Sequence, residues 1–357
     1  MIGSVLMLAL LAAQGDAAWP VKSKFQMPEE HGGLWSLAIS PDSKVVAGGT
    51  GIVTYTVGAK KSVAGGDVLL WDPAGGKVRK ILGKHGTSPG WLCFSRDGKA
   101  LGSFSKDDGE FKLWDLATGK PLQSLKLGTS VDGNAASIAF DGRTLVTVER
   151  KSIPAGKDEM SYLFAGTLTA RDAKTGKTLW SLNDSGVIVM GLSPDGKTLA
   201  AFIQKQVMEG DKPKITDRAV KLLDASTGKE LRALERGDLG YADAIGFHQD
   251  GKSVYAFHHG EIFRWDAQDG KPQPTVSLES WRNSSTLAFS ADGRVLAIVD
   301  FMGEKAGLVD ATSGKTLGVV AGKFPANFQH GAFSSDLKLF ACTRDFELLL
   351  LGVPAPK

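Results

Sequence analysis

Short apolar runs separated by polar turns recur along the chain from about residue 19 onwards. Seven of these runs end in a large residue immediately before a turn: Ile39, Phe94, Phe140, Leu192, Phe247, Phe289 and Phe333. The residue preceding each of these is small: Ala38, Cys93, Ala139, Gly191, Gly246, Ala288 and Ala332. Alternation with a period of two puts large and small residues on opposite faces of a strand. The pattern therefore predicts β-strands with one face crowded against a neighbouring sheet, and it makes Cys93 a packed residue.

Two kinds of turn divide these runs into repeated units. The first resembles Ser-Pro-Asp-Gly and occurs at residues 40–42, 95–98, 141–142, 193–196, 249–251, 291–293 and 335–336. The second resembles Thr-Gly-Lys and occurs at residues 75–77, 118–120, 175–177, 227–229, 269–271 and 313–315. Repeats of roughly 42 to 57 residues, each with room for four short strands, are typical of a β-propeller. The sequence predicts an all-β fold with seven blades of four antiparallel strands.

The two ends of the chain each hold part of a unit. The last unit has no fourth strand, and residues 21–27 form one strand that belongs to no complete unit. We expect this N-terminal strand to pair with the C-terminal blade and close the ring, which leaves no long edge unpaired. Residues 19–357 would then be one domain.

Composition agrees with this single radial domain and limits its partners. The chain of 357 residues has 44 Gly and 14 Pro, which suits a protein dense in tight turns, and its 42% hydrophobic content is that of a folded globular protein. Lysine and arginine exceed the acidic residues by only three and form no basic stripe, so nucleic acid is not an expected partner. Cys93 and Cys342 lie in units that are not neighbours, so no disulfide is expected. Nor does the sequence predict a cofactor.

The first eighteen residues differ from the rest. Residues 4–12 are a nine-residue apolar run, too short to span a bilayer, and small residues follow up to Ala18. This is typical of a secretory signal, and the expected mature chain starts near Trp19, in the periplasm or outside the cell, without a membrane span. Two alternatives stay open because the run lacks a flanking lysine or arginine: membrane retention through residues 4–12, or a buried first element.

Several third strands end in a Trp-Asp pair, namely Trp71-Asp72, Trp114-Asp115 and Trp265-Asp266. These pairs resemble the signature of WD40 repeat proteins, with Arg171-Asp172, Leu223-Asp224 and Val309-Asp310 as degraded copies. The resemblance implies a non-catalytic scaffold for protein interactions. It also implies a hydrogen-bonded structural tetrad of His, Ser or Thr, Asp and Trp, for which the second unit offers His85, Ser105, Asp108 and Trp114.

An enzymatic alternative would place a site in the central channel, as in propeller hydrolases, lyases and lactonases. Residues 170–180, with Asp172, Gly176 and Trp180, resemble the tryptophan-docking repeat of propellers that bind pyrroloquinoline quinone. This pattern occurs once in the sequence. His258, His259 and Glu261 are the tightest group of possible metal ligands, but neighbouring strand residues point to opposite faces, which favours a polar hairpin turn.

Three units carry long insertions between their second and third strands: residues 48–66, 150–166 and 205–218. Equivalent connections leave the same side of a propeller, so these insertions should rise from one face, where loops on a rigid scaffold often bind partners. The expected partner of this monomeric protein is a protein or peptide. The candidate contact residues are aromatic or cationic: Tyr55, Lys60, Lys61, Arg150, Lys157, Tyr162, Lys212 and Lys214.

Overall fold

The computed structural model describes residues 21–26, 33–54, 62–75, 77–128, 138–154, 162–183, 186–209, 212–235, 239–248, 250–281, 284–290, 294–300, 305–321, 331–334, 338–344 and 347–352. In these ranges the chain forms seven antiparallel sheets, each with four strands in blade order, and one of them has a short fifth strand at its side. The predicted seven-bladed β-propeller is confirmed.

The first four blades follow one another along the chain. Blade 1 contains β2 (Gly33–Ile39), β3 (Val46–Thr54), β5 (Asp67–Trp71) and β6 (Val78–Lys84), and the short β4 (Ser62–Ala64) pairs with β3 beside it. Blade 2 contains β7 (Trp91–Phe94), β8 (Ala100–Ser105), β9 (Glu110–Asp115) and β10 (Pro121–Lys126). Blade 3 contains β11 (Ile138–Phe140), β12 (Thr144–Pro154), β13 (Tyr162–Asp172) and β14 (Thr178–Leu182). Blade 4 contains β15 (Val187–Leu192), β16 (Thr198–Glu209), β17 (Lys212–Asp224) and β18 (Glu230–Leu234).

The remaining blades complete the ring. Blade 5 contains β19 (Ala244–Phe247), β20 (Ser253–His258), β21 (Glu261–Asp266) and β22 (Pro272–Ser277). A single 3₁₀ turn (Glu279–Trp281) leads to blade 6, which contains β23 (Ser284–Phe289), β24 (Val295–Asp300), β25 (Lys305–Asp310) and β26 (Thr316–Ala321). Blade 7 contains β27 (Ala332–Phe333), β28 (Leu339–Arg344), β29 (Glu347–Gly352) and, from the other end of the chain, β1 (Val21–Gln26).

Burial falls from the centre of the ring to its rim. The first strands of neighbouring blades contact one another: β2 contacts β7, and β15 contacts β19. In blade 2 every residue of the second strand β8 is buried, whereas the fourth strand β10 alternates between exposed and half-buried residues. The apolar core therefore lies between blades rather than within any one blade. Among the described residues, no helix has the length and apolar character that crossing a membrane requires.

Strand β1 closes the ring as predicted. It pairs antiparallel with β29 from Ser23 opposite Leu350 to Gln26 opposite Glu347. Phe25 is buried in a cluster that joins blade 7 to blade 1 through Leu348 and Trp71. The two ends of the chain are thus held together by a backbone ladder and by apolar packing.

The aspartate that ends a third strand fixes the following turn. Asp115 Oδ1 accepts hydrogen bonds from the backbone N–H of Thr118 at 2.7 Å and from its hydroxyl at 2.8 Å. These two bonds lower the pKa of Asp115. Asp172, Asp224 and Asp310 bind their own turns in the same way. This turn chemistry explains why the aspartate persists where the tryptophan before it is lost.

Neighbouring blades pack so closely that some positions accept only small residues. A Cβ atom at Gly191 would lie 2.8 Å from the carbonyl oxygen of Ile245 in the next blade. The Cys93 thiol lies 3.7 Å from the carbonyl oxygen of Phe140, also in the next blade, and burial raises its pKa to about 12. Such a thiol stays protonated and is a poor nucleophile.

Trp180 links blade 3 to blade 4. Its indole N–H donates to the carbonyl oxygen of Ala225 at 2.9 Å, and its ring covers the turn at Gly228. A Cβ atom on Gly228 would lie 2.7 Å from the Trp180 ring, and the residue has φ 73°. Both the left-handed backbone and the ring contact therefore favour glycine.

We predict that Gly228→Ala lowers the free energy of unfolding by about 2–4 kcal/mol, because the methyl group adds a clash to the backbone strain. The matched control is Gly251→Ala: Gly251 has φ 70°, and no atom of the described residues lies within 4 Å of its Cβ position, so this variant carries the strain alone and should cost about 1 kcal/mol. Urea unfolding of both variants measures the difference. Equal losses would show that the contact with Trp180 contributes nothing.

Candidate functional site

One face of the propeller carries the long insertions. Strand direction alternates within each blade, so the connections from second to third strands leave the same side as those between blades. On this side lie the hairpins β3–β4, β12–β13 and β16–β17. We call it the hairpin face.

The β12–β13 hairpin extends well past its blade. Among the described residues, strand β11 pairs with β12 as far as Thr147, whereas β12 and β13 stay paired up to Pro154 opposite Tyr162. At about 3.3 Å per residue the paired strands continue for roughly 20 Å past Thr147.

The β16–β17 hairpin projects in the same way from the neighbouring blade. Strand β15 ends its pairing at Ile203, but β16 and β17 continue to Glu209 opposite Lys212. We call the part of this hairpin beyond Ile203 the β16–β17 ribbon. On it, the side chains of Val207 and Ile215 are 46% and 40% exposed. Lys214 and Glu209 form an ion pair across it at 2.7 Å.

The predicted contact residues fall on these hairpins where the structure describes them. Lys214 is exposed on β17, and Arg150, Tyr162 and Lys212 lie on the hairpin strands β12, β13 and β17. The other four predicted residues lie outside the described ranges: Tyr55, Lys60, Lys61 and Lys157.

The suggested metal ligands of blade 5 belong to a tight hairpin turn. His259 has φ 46° and forms the turn with Gly260, and His258 pairs with Glu261 across it. His258 Nδ1 lies 3.0 Å from Asp243 Oδ2, and its ring contacts Tyr241. Among the described residues, the group whose ligand atoms lie close together is instead His85, Asp108 and Glu110 in blade 2. Sequence reasoning missed Glu110, although it stands two residues from Asp108.

The blade 2 network runs from a buried tryptophan to an aspartate on the hairpin face. Trp114 Nε1 donates to Ser103 Oγ at 2.8 Å, and Ser103 Oγ lies 2.8 Å from His85 Nε2. The indole N–H can only donate, so the oxygen of Ser103 accepts from it. The Ser103 hydroxyl then donates its own hydrogen to His85 Nε2, which satisfies both neighbours. This arrangement leaves the proton of the neutral imidazole on Nδ1, which faces Asp108.

Ser103, and not the predicted Ser105, occupies the position between His85 and Trp114. The two serines share one face of β8 because side chains repeat every second residue, so the sequence pattern does not distinguish them. Ser105 instead donates to Asp108, which also accepts from the Thr87 hydroxyl at 2.5 Å and from the Gly86 N–H at 2.7 Å.

Electrostatics keep His85 neutral and Asp108 charged. Burial, aided by the Lys112 ammonium, lowers the pKa of His85 to about 4 against the opposing effect of Asp108. Burial alone would raise the pKa of Asp108, but its hydrogen bonds from Ser105, Thr87 and Gly86 outweigh this and lower it. At neutral pH the pair is therefore an uncharged imidazole beside a carboxylate.

On the opposite face the inner turns of three blades are tied together. The turn of blade 3 at Asp141-Gly142 is shorter than its neighbours. Arg96 of blade 2 reaches past it and donates to the carbonyl oxygen of Ser193 in blade 4 at 2.6 Å. The Arg96 side chain thus spans the gap that the short turn of blade 3 leaves on this face of the ring.

We predict that Ser103→Ala lowers the free energy of unfolding by about 2–4 kcal/mol, because it leaves the Trp114 N–H and His85 Nε2 buried without partners. Ser105→Ala is the matched control on the same strand and should cost about 1 kcal/mol or less, since Asp108 keeps two other donors. Chemical unfolding of both variants gives the comparison. A larger loss for Ser105→Ala would contradict the assignment of Ser103.

Comparison with known proteins gives a partial similarity. No protein-family model matches the sequence. A stretch of 66 residues, 18% of this chain, is 39% identical to the retinoblastoma-binding-like protein E of Dictyostelium discoideum, and it spans 12% of that protein's length. The seven four-stranded blades make the chain a β-propeller, and the Trp-Asp pairs of its third strands are WD40-like.

Proposed function

We propose that the protein is a non-catalytic, exported and monomeric binding module that takes a protein or peptide partner on its hairpin face. The β16–β17 ribbon carries this conclusion, because it is a long element built beyond what the ring needs. The ring itself is complete without it, as blades 2 and 5 show with strands of six residues at the same place.

The ribbon offers the two features that extended partners use. Beyond Gln204, β16 has no partner other than β17 among the described residues, so its inner edge presents backbone donors and acceptors. Exposed Val207 and Ile215 add apolar surface to the same ribbon. An exposed strand edge with apolar side chains can pair with an extended segment of another chain.

The two edges of the ribbon are not equivalent. Strand β17 contains Pro213, which lacks an N–H, and it bulges at the extra residue Thr216, opposite the step from Lys205 to Gln206 of β16. Proline and bulges discourage further strand pairing. The edge of β16 past the bulge therefore suits a partner strand better than the edge of β17.

Three carboxylates near the centre have structural rather than catalytic surroundings. Asp42, Asp97 and Asp195 each accept a hydrogen bond from a serine hydroxyl and an N–H of their own turn, which lowers the pKa of each. Their oxygens hold the inner turns in shape. A catalytic acid or base needs a pKa nearer the working pH.

Export is inferred from the apolar run at residues 4–12, which lies outside the described residues. The strand that closes the ring begins at Val21, after the expected mature start near Trp19. Cleavage near Ala18 would leave every strand of blade 7 in place.

We predict that replacing residues 205–217 with Asn-Gly abolishes partner binding and leaves the fold intact. The change joins Gln204 to Arg218, which already face each other, through a turn suited to two-residue hairpins. Peptides selected from a random display library against the full-length protein serve as probes, and their affinity should fall at least about tenfold in the shortened variant.

The control is Lys120→Glu with Lys177→Glu, which changes exposed turns on the opposite face and should leave affinity unchanged. Circular dichroism of both variants checks the fold. Peptides that bind wild type and shortened protein equally would place the binding surface elsewhere.

We also predict that a bacterial host exports the full-length chain and cleaves it near Ala18. Mass spectrometry of the periplasmic protein should give an N-terminus at about Trp19, because small residues precede it. Recovery of the uncleaved chain in the membrane fraction would instead favour retention through residues 4–12.

A further inference from the structure

We propose that His85, Asp108 and Glu110 form a binding site for a divalent transition-metal cation, with Zn²⁺ as the representative ion. One nitrogen and two carboxylate oxygens of these residues all lie within 4.8 Å of one another on the hairpin face of blade 2. Imidazole with carboxylates is a donor set that suits zinc.

His85 supplies an observation independent of the acidic pair. Its side chain is fully buried, and its Nδ1 atom has no hydrogen-bond partner among the residues that the structure describes. Nδ1 points to Asp108 Oδ2 at 3.7 Å, which is too long for a hydrogen bond. Two ligands bonded at about 2.1 Å to one tetrahedral ion are separated by roughly 3.4 Å, so a small inward shift of Asp108 completes this geometry.

The network behind His85 can adapt to a bound ion. When a metal takes the lone pair of Nδ1, the imidazole proton moves to Nε2 and is donated to Ser103 Oγ, which lies 2.8 Å away. The ring stays neutral, and no proton is lost from it. An N–H donated away from the metal is the usual way in which a ligating histidine is oriented.

Lysines around the third ligand oppose the cation. Lys112 Nζ and Lys126 Nζ each lie 3.5 Å from Glu110 Oε2, and the Lys126 side chain is 69% exposed. Lys112 also donates to the carbonyl oxygen of Lys84 at 2.6 Å, which holds it in place. A bound ion therefore displaces Lys126 into solvent, and the two ammonium groups limit the affinity to a moderate value.

This charge arrangement gives the site a distinctive response to mutation. Removing the Lys126 charge takes a cation away from Glu110, so Lys126→Gln should tighten Zn²⁺ binding by about three- to tenfold. Glu110→Gln removes a ligand and should weaken binding at least about tenfold. Glu110 lies outside the Trp114–Ser103–His85 chain, so this variant preserves the buried network.

Isothermal titration of the full-length protein with Zn²⁺ at neutral pH tests the site, with circular dichroism of each variant as a check on folding. His258→Gln is the control, because His258 pairs with Asp243 in blade 5 and should leave the affinity unchanged. The expected result is one Zn²⁺ per chain, with opposite effects of Lys126→Gln and Glu110→Gln.

Three outcomes would overturn the assignment. These are no saturable binding below about 1 mM Zn²⁺, equal affinities of wild type and Glu110→Gln, or loss of binding in His258→Gln, which would move the ion to blade 5. Peptide binding on the hairpins is measured with a chelator present, so the two functions succeed or fail separately.

Discussion

Pairing between β1 and β29 is the interaction on which the rest of the structure depends. A propeller blade buries its faces only against two neighbours, so an open ring would expose the apolar faces of blades 1 and 7. The β1–β29 ladder brings Phe25 into the cluster shared by these two blades. Closure thus turns seven small sheets, none of which has a sufficient core alone, into one domain.

Closure also determines where the chain is free to vary. Inner strands are restricted by the approach of the next blade, as the contact of Gly191 with Ile245 shows. The connections between second and third strands leave the ring altogether, so β12–β13 and β16–β17 extend without disturbing a blade contact. The elements that we assign to binding are therefore those that the ring constrains least.

Blade 2 shows how one buried network can have two sides. The side toward the core, from Trp114 through Ser103 to His85 Nε2, is satisfied by hydrogen bonds. The side toward the hairpin face ends at Nδ1, which lies near two carboxylates and has no hydrogen-bond partner among the described residues. A structural network thereby fixes a buried imidazole on the hairpin-face side of blade 2, in an orientation suited to a metal ligand.

The sequence by itself determined the number of blades, the four-strand unit, the closing strand and the positions of the long hairpins. These features depend on local turn chemistry and on alternation along each strand, which are readable from neighbouring residues. Only the tertiary structure decided that Ser103 rather than Ser105 bridges His85 and Trp114, that Glu110 joins His85, and that Arg96 spans blade 3. The physical reason is distance: these contacts join residues on different strands or blades, and residues that share one strand face are equivalent until packing selects between them.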